Sequence, residues 1–479
     1  MEQSKSGIQS LKKGSHIHLM GICGTAMASL AGLLKDQGFR ITGSDQNPYP
    51  PMSTQLESLG IEIQKGYRAE NLQDRPDFVI VGNVISRSNP EAEELMRLGI
   101  PYTSLPQAMG EFIIRDLESV VISGTHGKTT TTSMMAWVLD SLGEKPGFLI
   151  GGIPKNFAKS FRNPDGRFFV IEGDEYDTAF FDKVPKFVHY RPKHVILTSV
   201  EFDHADIYKD LDAVKDAFRR LLSLVPADGN LLWCAHEKNI AQIVQEKTLP
   251  SFSYGIELGD YQSKVLQVSQ QGTDFQLSYQ GQILCSCFLP MSGNYNVLNA
   301  TAVLSMIHRW GLDVSKASQS LASFQGVKRR QEILGEPQGI LVIEDFAHHP
   351  TAVRETLQGI RARYPSRKVF AVFEPRSATS RRKVFQKDYV QAFMGADRVI
   401  IAQAFDQSKI DQAERFSVDD LVQDIQKQNK QASTFETADQ IVSNLVQESH
   451  SGDLILIMSN GGFDGIYQKL LTGLQSSSK

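Results

Sequence analysis

The stretch Val120-Val121-Ile122-Ser123-Gly124-Thr125-His126-Gly127-Lys128-Thr129-Thr130-Thr131-Thr132 decides how this chain is read. Its β-branched opening predicts a short strand, Gly124 to Gly127 a tight turn, and the run Met134-Met135-Ala136-Trp137-Val138-Leu139 a helix. Strand, glycine turn and helix N-terminus together make an anion site. Backbone N–H groups turn inward there, and the helix end adds partial positive charge. Lys128 then reaches toward terminal phosphate oxygens, and a hydroxyl directly after it suits Mg²⁺. The usual phosphate-loop pattern has four residues between its glycines, whereas Gly124 and Gly127 are separated by two. The regular spacing fails and the physical context holds. The bland alternative is a glycine turn with a solvated lysine. It requires Gly-Lys-Thr-Thr to fall at a strand-to-helix junction by coincidence.

Downstream of the loop, two apolar strands end in acid. Phe168-Phe169-Val170-Ile171 runs into Glu172-Gly173-Asp174-Glu175-Tyr176-Asp177, and Val195-Ile196-Leu197 into Glu201-Phe202-Asp203-His204-Ala205-Asp206. Either cluster alone reads as a solvated turn. At strand ends following a phosphate loop they read as carboxylates for Mg²⁺ in phosphoryl transfer. Residues from about 260 to 290 alternate as an antiparallel hairpin does. Asn296 and Asn299 lie one turn apart on the helix that follows, facing one ligand or serving as cap and surface amide.

Upstream, residues 17 to about 116 alternate strands and helices, which predicts a parallel sheet with ligands at its C-terminal edge. Ile17-His18-Leu19-Met20 leads into the turn Gly21-Ile22-Cys23-Gly24-Thr25-Ala26-Met27. A second strand ends at Ser44-Asp45, and a third at Gly82-Asn83. Asp45 sits where a dinucleotide fold carries its ribose-binding acid. However, Cys23 and Ala26 stand where that fingerprint needs glycines, which argues against a nicotinamide dehydrogenase. Lys12-Lys13 before an apolar stretch imitates a signal peptide, and the glycine break at Gly21 and Gly24 makes it a strand and helix instead. Beyond about 331 a third α/β unit is expected. Its strands end at Asp345-Phe346-Ala347-His348-His349-Pro350, at Glu374-Pro375-Arg376 and at Ser459-Asn460-Gly461-Gly462. Arg329-Arg330 lie near the junction, where domain closure brings a guanidinium to phosphate; a solvated linker is the alternative.

The bulk numbers agree. The 479 residues are enough for about three cores, with 41% hydrophobic and 22% charged residues. A net charge of −4 gives no basic footprint for nucleic acid. No window is long and apolar enough to span a bilayer. Four cysteines make no disulfide framework, so a reducing, cytoplasmic setting fits.

Taken together, these motifs resemble the Mur ligases, three-domain ATP-dependent amide-forming enzymes of bacterial cell-wall synthesis. The likeness runs from about His16 to Leu471. It implies an α/β chain with a Rossmann-like UDP-sugar domain over 1–116, a phosphate-loop ATP domain over 117–330 and a Rossmann-like acceptor domain over 331–479. Within the family, several stretches resemble most the branch that recycles murein peptides. They are Tyr49-Pro50-Pro51-Met52-Ser53, Glu175-Tyr176-Asp177, Ala179-Phe180-Phe181-Asp182-Lys183, Glu201 to Ile207, Glu374-Pro375-Arg376-Ser377 and Met458 to Phe463.

The resemblance assigns UDP-N-acetylmuramate to Gly21, Gly24, Thr25, Ser44, Asp45 and Asn83. ATP falls to Gly124, Thr125, His126, Gly127, Lys128, Thr129 and Thr130, with adenine on Asn296 and Asn299 and ribose on Asp345. Thr129 and Glu172 would hold Mg²⁺, with His204 near a second ion, and Arg330 would bind phosphate. His204 or His348 would take the proton of the acceptor amine. The acceptor would be a peptide facing Arg376, Ser459 and Asn460. The implied reaction joins UDP-N-acetylmuramate to L-alanyl-γ-D-glutamyl-meso-diaminopimelate through an acyl phosphate. The biosynthetic ligase that adds L-alanine is the alternative. Two positions depart from that alanine-adding pattern: Tyr295 replaces its usual His, and Arg376-Ser377 replaces its His-Arg pair. Lys215 lies near the lysine carbamylated in other branches, but the preceding loop differs in length. A phosphate-loop NTPase that switches for a protein partner is the reading from another class, and the polar strand ends in both outer domains count against it. A monomer or weak homo-oligomer is expected.

Overall fold

The computed structural model describes residues 11–48, 52–246 and 250–476. Tyr49, Pro50 and Pro51, part of one stretch carrying the branch resemblance, lie outside the described residues. Three sheets organise the chain. The first has five parallel strands in the order Glu62–Lys65, Arg40–Asp45, His16–Met20, Phe78–Val81, Tyr102–Ser104. The order reverses beside His16–Met20, so the turns after this strand and after Phe78–Val81 open onto one crevice. Leading out of the first turn, the helix Thr25–Asp36 is built of small residues that let it sink between layers. A Cβ on its Gly32 would collide with the ring of Phe161 in the next unit, and Ser29 Oγ lies 2.8 Å from Ser160 Oγ. First and second units accordingly share one continuous apolar core.

The central sheet has ten strands. Glu118–Ser123 lies between His194–Leu197 and Phe168–Gly173, all parallel, with Ser123 opposite both Leu197 and Gly173. That register brings the phosphate turn and both acidic strand ends to one edge. The alternating stretch forms the antiparallel strands Tyr261–Val268, Thr273–Tyr279 and Gln282–Leu289, a meander added to the far side. Cys285 and Cys287 share a face of the last strand as their spacing predicts, and all four cysteines are buried and free.

The third sheet has six strands, with Glu332–Gly335 antiparallel to Leu341–Asp345 and the others parallel. Unlike the first two units, this one buries its apolar residues in clusters of its own on the two faces of its sheet. Its meeting with the central unit is largely polar: Thr379 Oγ1 donates to Asp203 Oδ1 at 2.5 Å, and Arg363 Nε to the Gln270 carbonyl at 2.7 Å. Polar seams of this kind permit domain movement. Among the described residues no helix is long and apolar enough to cross a membrane.

Candidate active site

The helix Lys128–Leu142 starts at Gly127, whose φ of 83° and lack of a side chain leave the helix end uncapped. Its first intrahelical bond runs from Thr131 N to Gly127 O, so the preceding N–H groups are free for an anion. The turn itself is braced differently from the expectation. Thr125 N and His126 N donate to the carbonyl and hydroxyl of Ser199, so these two groups hold the loop rather than face a phosphate.

Lys128 is not a solvated lysine. Its side chain is 13% exposed, and Nζ donates to Gly124 O at 2.6 Å and to Glu175 Oε2 at 3.1 Å, with Asp174 Oδ1 at 3.8 Å. Burial alone would lower its pKa, but Glu175 and Asp174 more than offset this and hold it charged. Asp174 is in turn paired with Lys186 at 3.0 Å. Nothing in the sequence around Lys186 marks it as part of the site. Beside this network, Thr129 Oγ1 donates to Glu172 Oε2 at 2.8 Å, while Gly151 N donates to Oε1 at 2.5 Å. Burial and the nearby Asp174 charge raise the Glu172 pKa, the signature of a carboxylate short of positive charge. Thr129 and Glu172 therefore present two hard oxygen donors at one point, a fit for Mg²⁺. His204, in a left-handed turn at φ 52°, faces Glu175 at 3.7 Å and the ring of Tyr176, not Glu172.

Asn299 points toward the same region, while Asn296, fully buried, donates Nδ2 to the Ser292 carbonyl at 2.8 Å. Asn299 Oδ1 lies 2.8 Å from where a Cβ on Gly127 would be, which puts this amide against the phosphate turn. Asn296 Oδ1 and Asn299 Nδ2 are buried without a partner. Orphaned polar atoms of this kind cost roughly 1–3 kcal/mol each, which a base with matching donors and acceptors relieves. A cavity of about 450 Å³ lies at the seam with the third unit, lined in part by Lys155, Met291, Phe324, Arg330 and Gln331.

The two junction arginines divide. Arg329 is structural: it pairs with Glu344 at 2.5 Å and donates to the Ser459 and Gly461 carbonyls. Arg330 rests on the Phe346 ring at 4.7 Å and lines the cavity. Asp345 is 4% exposed, and its two oxygens accept the backbone N–H groups of Gln331 and Ala347 at 2.8 Å. The carboxylate expected at a ribose thus already fastens the junction. His348 Nδ1 donates to the Phe346 carbonyl at 3.0 Å, which leaves Nε2 as the basic nitrogen, and burial lowers its pKa.

Two expected contact residues turn inward. Ser459 is fully buried with its hydroxyl on Glu374 at 2.5 Å, and Ser44 is fully buried with its hydroxyl on Glu91 at 2.9 Å. Each strand end is packed against its own domain, so these hydroxyls shape a wall and leave contact to neighbours. Asn460 stays half-exposed. Arg376 pairs with Glu374 at 3.1 Å and stacks on Phe405 at 3.8 Å over the Gly461 turn. In the first unit, Gly24, Thr25 and Asn83 are exposed, and Gly21 adopts φ 78°. Asp45 accepts Cys23 N at 2.9 Å, which closes the turn. Lys215 Nζ goes to Gln242 at 2.8 Å, with Asp212 at 4.0 Å.

Three family profiles cover nearly the whole chain: the Mur ligase family catalytic domain over residues 16–116, the Mur ligase middle domain over 122–307, and the Mur ligase glutamate ligase domain over 329–461. The chain belongs to the Mur ligase family. As such it is an ATP-dependent ligase that forms a carbon–nitrogen bond. Similar relatives include the UDP-N-acetylmuramate–L-alanyl-γ-D-glutamyl-meso-2,6-diaminoheptandioate ligase of Escherichia coli K12, 39% identical over 465 residues, 97% of this chain and 99% of that one. The UDP-N-acetylmuramate–L-alanine ligase of Clostridium tetani is 32% identical over 452 residues, covering 94% of this chain and 96% of its own. Among solved structures, the murein peptide ligase of Psychrobacter arcticus superposes with a TM-score of 0.73 at 36% identity over 97% of this chain and all of that one. The three-domain α/β architecture expected of a Mur ligase is the one observed.

Proposed function

We propose that this Mur ligase joins the lactyl carboxylate of UDP-N-acetylmuramate to the alanyl amine of L-alanyl-γ-D-glutamyl-meso-diaminopimelate, recycling cell-wall peptide in the cytoplasm. The observation that carries the reading is the 39% identity across 97% of the chain to an enzyme named for that reaction, against 32% for a ligase named for L-alanine. Both acceptors offer the same α-amine, so the chemistry is shared and only the third-domain pocket discriminates.

A carboxylate resists amines because its charge repels them and oxide is a poor leaving group. Transfer of the γ-phosphoryl group of ATP to it removes both obstacles. The uncapped end of the helix at Lys128 and the Lys128 ammonium meet the transferring phosphoryl group, with Arg330 closing from the junction. Asn296 and Asn299 take the adenine through their orphaned amide atoms. Mg²⁺, held by Thr129 and Glu172, supplies charge neutralisation across the phosphates when bound. His348 is the better candidate to accept the amine proton, because its tautomer leaves one basic nitrogen free while His204 leans on Glu175. In this scheme the first domain, 1–116, binds the UDP-sugar, 117–330 binds ATP, and 331–479 brings the acceptor.

The test is phosphate release with ATP, Mg²⁺ and UDP-N-acetylmuramate, comparing the tripeptide with L-alanine at equal concentration. Clear preference for the tripeptide is expected. Preference for L-alanine transfers the chain to the biosynthetic reaction.

A further inference from the structure

Where the phosphate loop meets the third domain, three side chains converge: Glu201 and His349, which the ligase chemistry above leaves unused, and His126, whose imidazole turns to them rather than to a phosphate. Glu201 Oε2 lies 3.1 Å from His126 Nε2 and 3.3 Å from His349 Nδ1, and the three atoms all fall within 4.8 Å of one another. Two of the three residues are rigidly held by the central domain. Glu201 N donates to Thr125 Oγ1 at 2.9 Å, and His126 N to Ser199 Oγ at 2.8 Å, so loop and strand end fix the carboxylate against the first imidazole. The third comes from the acceptor domain, where His349 caps the helix Pro350–Arg363.

The hydrogen-bond pattern of His349 decides what this cluster can be. Its Nε2 lies 3.3 Å from the carbonyl of Phe202, an acceptor only, so the ring proton sits there. Its Nδ1 is then a lone pair, shared at 3.3 Å with the N–H of Thr351 and facing the Glu201 oxygen at the same distance. The Nδ1 lone pair of His349 and His126 Nε2 thus both face one carboxylate oxygen, at 3.3 Å and 3.1 Å.

We propose that His126, Glu201 and His349 bind one divalent transition-metal ion of the Zn²⁺ class, and that this ion ties the phosphate loop to the acceptor domain. The donor set is two imidazoles and one carboxylate, which suits Zn²⁺ and disfavours Mg²⁺. Bonds of about 2.0–2.1 Å at tetrahedral angles separate ligand atoms by roughly 3.3 Å, close to the two shortest separations here. The Phe202 carbonyl on His349 Nε2 is the outer partner that orients a ligating imidazole and exposes its other nitrogen. Three protein ligands leave a fourth position open. The site shares no residue with the Thr129–Glu172 pair. Because its ligands come from two domains, occupancy favours the closed arrangement in which acceptor and phosphate loop meet.

The test uses the tag-free full-length chain, without nucleotide and in a large excess of Mg²⁺, titrated with Co²⁺ as a spectroscopic stand-in for Zn²⁺. Visible d–d bands of four-coordinate Co²⁺ should saturate at one ion per chain and be displaced by one equivalent of Zn²⁺. They should vanish in both Glu201→Gln and His349→Asn and persist in Glu172→Gln. Circular dichroism of each variant separates lost binding from lost fold, and the Zn²⁺ displacement in the unsubstituted chain stands without any variant. Absence of the bands in the unsubstituted chain overturns the proposal. So do bands that survive in folded His349→Asn, or bands that disappear in Glu172→Gln.

Discussion

Two glycine-rich turns end strands in this protein, and they use glycine for different reasons. In the phosphate turn, Gly124 and Gly127 have φ of 134° and 83°, a region that side chains avoid, and added Cβ atoms would strike Ser199 backbone and Asn299. In the acceptor-domain turn, Gly462 has φ −82°, ordinary for any residue, and nothing lies within 4 Å of its would-be Cβ. Gly461 differs again: its backbone is unremarkable, but the Arg376 guanidinium lies across it. One turn is made by backbone geometry and the other by what packs on it. The nucleotide end of the molecule is thus built rigidly, whereas the acceptor end is shaped by a side chain that can move.

The sharpest way to break this contrast is at Lys128. Lys128→Ala should reduce ADP formation by roughly 10²–10³-fold. It should also destabilise the chain by roughly 3–5 kcal/mol, because Glu175, with a side chain only 2% exposed, loses its cation. Urea denaturation beside turnover measures both; loss of turnover at unchanged stability would mean the ion pair does not hold the loop. Glu172→Gln ranks next. Its activity should fall and its Mg²⁺ requirement rise by at least roughly tenfold, and an unchanged Mg²⁺ titration removes the residue from the site. Gly127→Ala should cost roughly 1–2 kcal/mol through backbone strain and raise KM for ATP by pressing on Asn299.

On the acceptor side the effects shrink. Gly461→Ala should displace only the flexible end of Arg376, leaving stability within about 0.5 kcal/mol while KM for the peptide rises and KM for ATP does not. Gly462→Ala should be neutral or stabilise by roughly 0.4–1 kcal/mol through a stiffer unfolded chain. If Gly462→Ala damages the enzyme as much as Gly127→Ala, the distinction between the turns fails.

What the sequence by itself determined is what is local. A β-branched run, a glycine turn and a helix lie within 20 residues of one another, so their phosphate-binding logic is readable without knowing any distant partner. The same holds for the strands ending in Glu172, Asp345 and Ser459, whose alternation with helices dictated parallel sheets and hence sites along one edge. The tertiary structure decided how charges and hydroxyls are shared between distant residues. It paired Lys128 with Glu175, 47 positions on, and Asp203 with Thr379, 176 positions on. It turned the Ser44 and Ser459 hydroxyls inward to buried carboxylates, separated Arg329 from Arg330, and brought His349 to Glu201 across the domain seam. The physical reason is range. Backbone conformation and amphipathic pattern act over a few residues, whereas burial makes each polar atom seek whichever partner the packed domains bring within about 3 Å, and no local pattern names that partner.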